Sequence, residues 1–108
     1  MVETFSVKWT NTAQRDFSII LEYIYQDSPQ NARFVFKSIK LQAQKLDTFP
    51  TRGRIIPELR ELGVLGYREL IIERWRVMYK IDSKQVYVLA VIDARQNVED
   101  ILFHRFIG

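Results

Sequence analysis

Polar and apolar positions alternate in "TFSVKW", where Phe5, Val7 and Trp9 are separated by Ser6 and Lys8. A period of two puts the apolar set on one side of a strand, so a first strand is predicted over residues 4–9. "TNT" then supplies N-cap residues, and Ala13, Phe17, Ile20, Leu21 and Ile24 recur at helical spacing. A helix follows over residues 12–26. "QDSP" stops it and starts another, with Asp27 or Ser28 as cap and Pro29 in the first turn. The second helix reaches residue 48 with a stripe of Ala32, Phe36, Ile39, Ala43 and Leu46; Phe34 and Leu41 fall on a different side. Two such helices on a short link make an antiparallel hairpin.

The helical period ends in "FPTRGRIIPELRELGVLG", which holds two prolines and three glycines. An irregular loop of that length is uncommon in a compact domain, so Arg54 to Leu59 is expected to be extended or a short turn. Three strands follow, over residues 67–72, 75–81 and 86–93, the last an apolar, β-branched run suited to burial on both faces. In "NVEDILFHRF", Val98, Ile101, Leu102 and Phe106 return to helical spacing behind an Asn97 cap. The order β-α-α-β-β-β-α predicts a single α+β domain over residues 1–108, its helical hairpin packed on a small, mostly antiparallel sheet.

With Glu73 and Arg74 at the tip of the hairpin "RELIIERWRVMYKI", Ile72 pairs with Trp75 and the sheet has two unlike faces. Arg68, Leu70, Ile72, Trp75, Val77 and Tyr79 should meet the helices. Tyr67, Glu69, Ile71, Arg76, Met78 and Lys80 mix charge with apolar groups and should form an open face. Two readings of the charges follow: Glu69 pairs with Arg76 while the other charges are solvated, or Arg76, Arg95 and Arg68 form an anion-binding face. Trp9 and Trp75 are expected in the core, and Tyr67 and Tyr79 as sheet packing.

Composition changes this picture only a little. The 108 residues carry a formal charge of +3, too small to demand an acidic partner. Of the 10 cations beyond residue 51, 8 are arginine, the side chain suited to forked recognition of phosphate or carboxylate. The absence of cysteine removes disulfides, thiolate metal sites and a thiolate nucleophile. No apolar run approaches the roughly 20 residues of a membrane span, and no signal peptide is visible, so a cytoplasmic protein without cofactor or metal is expected.

Taken together, "FPTRGRIIPEL", "YRELII", "RWRVMYKI" and "VYVLAVIDAR", after a hairpin containing "AQRDFSIILEYI", resemble the RelE/ParE superfamily of type II toxin-antitoxin toxins over residues 5–106. The resemblance implies a small α+β toxin silenced by a cognate antitoxin in a hetero-oligomer. It also implies one of two targets: DNA gyrase, poisoned by ParE-like members, or mRNA on the ribosome, cleaved by RelE-like members. The fold does not choose between them.

A nuclease needs cations for the phosphorane and a group that moves protons. Arg76 matches the family's sheet arginine, Arg68 one of its paired lysines and Arg95 the arginine ending the last strand. Leu70 stands at the second lysine position, and Ile101 where the C-terminal tyrosine is expected. His104 is the remaining candidate proton carrier. The depleted nuclease set favours the gyrase reading, with mRNA cleavage or a non-toxic binding module as alternatives. Arg76, Lys80, Arg95 and Arg105 are the candidates for target contact. Phe34 and Leu41, off the main helical stripe, are the candidates for an apolar groove occupied by an amphipathic antitoxin segment.

Overall fold

The computed structural model describes residues 3–107. Strand β1 (Ser6–Trp9) leads into helix α1 (Asn11–Asp27), and Ser28 alone separates it from α2 (Pro29–Gln44). Thr10 caps α1 by accepting from the Ala13 amide at 3.1 Å, and Ser28 caps α2 through Asn31 at 3.1 Å. Helix α2 ends at Gln44, short of residue 48, and the chain tightens into single turns at Lys45–Asp47 and Pro50–Arg52. The expected extended or turn segment contains both: strand β2 (Arg54–Ile55) and the one-turn helix α3 (Pro57–Arg60). Strands β3 (Arg68–Ile72), β4 (Trp75–Asp82) and β5 (Gln85–Asp93) follow. Helix α4 (Val98–Leu102) then continues into a wide turn over Phe103–Ile107.

The five strands lie in the order β1-β5-β4-β3-β2, with β1 parallel to β5 and the other pairs antiparallel. The hairpin register is the expected one, Ile72 opposite Trp75, although its turn has neither glycine nor asparagine. Glu73 instead adopts the left-handed conformation, with φ of 56°. Such a conformation disfavours side chains with a Cβ and is held here by the pairing on either side.

The helical hairpin packs on one face of the sheet. Ala13, Phe17, Ile24, Val35, Ile39 and Leu46 meet Leu70, Trp75, Val77, Tyr79, Val86 and Val88. Val35 occupies the buried stripe of α2 where Phe36 was expected; Phe36 stays half exposed and stacks on Phe17 instead.

The other face is not open. Met78, Ala90 and Ile92 form a second core with Ile56 and Leu59 from the β2–α3 segment and Val98 and Leu102 from α4. Its apolar residues require that cover, because a bare sheet face of this size would expose them to water. A bulge between β4 and β5 pairs Met78 with Ala90 but Tyr79 with Val88. Leu89 is left over, and the inward residues of β5 change parity there, which is why Val88 and Ala90 face different cores.

Candidate functional site

Arg76 stands in the middle of the sheet at 6% exposure, held by two carboxylates. Its Nε and Nη2 donate to Glu69 at 2.7 and 3.0 Å, and its Nη1 and Nη2 donate to Glu58 at 2.9 and 2.7 Å. Glu69 is diagonal to it on β3; Glu58 arrives from α3, which the cover of the second core places above the sheet. Arg54, paired with Glu69 in the β2–β3 register, closes the set through a 2.8 Å contact from its Nε. Two guanidinium and two carboxylate groups thus balance. Hydrogen bonds donated to Glu58, and then to Glu69, hold the Arg76 proton more tightly than usual against the opposing effect of burial. The same hydrogen bonds from Arg76 lower the pKa of Glu58.

Arg68 lies on the opposite face, beside Tyr79 in the β3–β4 register. Its Nη1 donates to the carbonyls of Gly53 at 2.8 Å and Thr51 at 3.3 Å. The fully buried Tyr79 reaches the same loop: its hydroxyl donates to the Pro50 carbonyl at 2.6 Å and accepts from the Gly53 amide at 2.9 Å. Burial raises the pKa of Tyr79 and keeps it a neutral donor. A Cβ on Gly53 would sit 2.6 Å from both the Glu69 carbonyl and the Tyr79 hydroxyl, so the loop needs glycine for space.

Arg95 is exposed and folds back on its own turn. Its Nη2 donates to Asp93 at 2.9 Å and its backbone amide to the same carboxylate at 2.9 Å, which lowers the pKa of Asp93. Arg74 also approaches Asp93, at 3.6 Å, while its guanidinium lies 4.4 Å from the Trp75 ring centre. Arg105 forks onto Asp16 of α1 at 2.6 and 3.0 Å, and Asp16 also accepts from the Val91 amide at 3.1 Å. That carboxylate therefore ties a helix, a strand edge and the C-terminal segment together. His104 is exposed in the terminal turn, edge-on to Phe103. Ile101, where a tyrosine was expected, packs against the second core.

The predicted cations are accordingly dispersed. Arg76 is enclosed, Arg68 holds a loop, Arg95 holds a turn and Arg105 holds a helix. The pairing of Arg76 with Glu69 is the simpler of the two sequence readings; Glu58 was the missing partner, recognisable in "PEL" only as part of a motif.

A second feature runs along the helical hairpin. Trp9, Phe17 and Phe36 stack in series, with centroids 5.3 and 5.7 Å apart, and Lys40 lies 4.9 Å from the Trp9 ring centre. Leu21 and Tyr25 continue this apolar groove, with Arg33 and Lys37 on its α2 rim and Glu22 on its α1 side. Phe34 and Leu41, 56% and 58% exposed, are seven residues apart on the outer side of α2 and do not line the groove. The sequence signal for the groove was present in Phe36 and Trp9, both of which read as core because their spacing fits the buried stripes.

Residues 7–98 match the family model described as ParE toxin of type II toxin-antitoxin system, parDE. Toxin ParE3 of Caulobacter vibrioides is 26% identical over 83 residues, which span 72% of this chain and 79% of that protein. Among solved structures, the chromosomal ParDE toxin-antitoxin system from P. aeruginosa superposes with a TM-score of 0.72 at 21% identity. The match covers 86% of this chain and 99% of that one. The RelBE2 toxin-antitoxin complex from Mycobacterium tuberculosis gives 0.56 at 25% identity, over 86% and 93% of the two chains.

Proposed function

This chain belongs to the ParE toxin family of type II toxin-antitoxin systems, and on that premise we propose that it inhibits growth by poisoning DNA gyrase until a cognate antitoxin neutralises it. The observation that carries the choice of target is the closure of Arg76 by Glu58 and Glu69. RNA cleavage would need that arginine to meet a phosphorane beside a proton carrier. A guanidinium forked onto two carboxylates would have to abandon both, and Tyr79, a potential acid, has its hydroxyl on the other side of the sheet, committed to Pro50 and Gly53. Poisoning by surface contact asks nothing of Arg76.

The groove is the proposed seat of the antitoxin. An aromatic floor with Arg33, Lys37 and Lys40 along one rim suits an amphipathic helix with acidic residues beside its apolar stripe. Phe34 and Leu41 then offer a further contact for the same partner where it passes the outer side of α2. The toxin acts in the cytoplasm, where gyrase and antitoxin are both made.

The test is induction of the chain without antitoxin, with DNA and protein synthesis pulse-labelled over the first minutes. Early arrest of DNA synthesis with double-strand breaks is expected. Protein synthesis failing first, with cut mRNA, would replace the gyrase reading with the nuclease one and return attention to Arg95 and His104.

A further inference from the structure

Of the four cations proposed for target contact, Lys80 and Arg105 share one pocket, of about 350 Å³, at the end of the sheet away from Arg76. Three features of the fold build it. The bulge at Leu89 interrupts the pairing of β4 and β5 and opens that end of the sheet. The C-terminal segment lays Phe106 over Tyr67, with ring centroids 4.9 Å apart. The fork onto Asp16 fixes the Arg105 guanidinium at the pocket wall, and its remaining N–H donors have no hydrogen-bond partner among the described residues.

Among the described residues the lining includes Lys80, Arg105 and the hydroxyl-bearing Thr12 and no carboxylate; Asp16 balances Arg105 from beside the pocket, so the unbalanced positive charge is that of Lys80. Lys80 makes no ion pair among the described residues, and its ammonium lies 5.9 Å from the Tyr87 ring centre. A half-buried lysine without a counter-ion, next to a fixed guanidinium, suits a compact anion with several acceptor oxygens. The adjoining Tyr67–Phe106 stack offers a wall for a flat ring.

We propose that this pocket binds a nucleotide, its phosphate between Lys80 and Arg105 and its base against the Tyr67–Phe106 pair. The site is separate from the antitoxin groove and does not depend on gyrase being the target. The nucleotide is either free or the 5′-phosphorylated end of a strand, which share this chemistry.

The test is titration of the full-length, ¹⁵N-labelled chain with AMP, adenosine, inorganic phosphate and a 5′-phosphorylated tetranucleotide. AMP should shift the amide signals of Thr12, Lys80 and Arg105. Adenosine and inorganic phosphate, each lacking half of the recognised groups, should bind about tenfold more weakly or worse. Lys80→Gln should weaken AMP about tenfold with the melting temperature unchanged. A tetranucleotide tighter than AMP identifies the strand end as the source, and equal affinities identify the free nucleotide. The proposal fails if AMP leaves those signals unmoved, if phosphate binds as tightly as AMP, or if Lys80→Gln binds AMP normally. Should that variant not fold, the comparison of AMP with adenosine on the unsubstituted chain decides alone.

Discussion

Arg76 and Glu69 are charged residues at the centre of a sheet, and their energetics follow from how completely they are paired. Glu69 is 1% exposed, so removing Arg76 would leave its carboxylate with Arg54 alone, whose side chain is 57% exposed. Arg76→Ala is therefore expected to destabilise the fold by ~3–5 kcal/mol, whereas the double variant Arg76→Leu with Glu69→Leu should recover much of that loss. Urea unfolding of the three proteins checks this; equal losses in the single and double variants would contradict the account. Glu58 adds a pH dependence of definite sign. Its pKa is lowered in the folded chain by the Arg76 hydrogen bonds. Its contribution is thus complete above the ordinary carboxylate pKa and disappears as pH falls through the depressed value. Melting temperatures at pH 7 and pH 3 should differ less for Glu58→Gln than for the unsubstituted chain, and an identical drop in both would remove Glu58 from the network. The diagonal pairing of Glu69 with Arg76 was readable from strand alternation. The share taken by Glu58 was not, because it depends on where a one-turn helix 18 residues earlier comes to rest.

Among the elements, the C-terminal segment determines most of what the sheet can present. Residues Val98 and Leu102 complete the second core, and Arg105 anchors the segment to α1 through Asp16. Asp16→Ala should release the anchor and leave the Val91 amide without its acceptor, at a cost of about 1–3 kcal/mol. Amide exchange in residues 98–106 is expected to quicken while that of α2 keeps pace with global stability. Unchanged protection in the terminal segment would show that its apolar contacts suffice. Helix α4 was visible in the sequence from its spacing and its Asn97 cap. The element it covers was not, since a helical apolar stripe states that something is buried without saying against what.

For the whole molecule, two surfaces are separated by the sheet and the helices: the groove of the hairpin and the covered face with its terminal pocket. If the antitoxin helix lies in the groove, Phe36→Asp should weaken its binding by about 2 kcal/mol or more, in the range of an interface hot spot. Phe34→Asp with Leu41→Asp should cost less, because both side chains point away from the groove. Titration of each folded variant with the antitoxin distinguishes the two positions; a larger loss at Phe34 and Leu41 would move the partner to the outer side of α2.

By itself, the sequence determined the main elements and narrowed the helix caps to a few residues, because these depend on periods of two and 3.6 and on residues close in the chain; the hairpin register followed the alternation, but no turn residue fixed it. The family resemblance was legible for the same reason, in short runs of neighbouring residues. Tertiary structure alone decided that the second face is covered, that Arg76 is shared by two carboxylates, that Phe36 faces a groove and that Lys80 and Arg105 line one pocket. Each of these depends on contacts between segments far apart in the chain, and the bulge at Leu89 changes which face a strand residue meets without altering the apolar, β-branched run that predicts the strand.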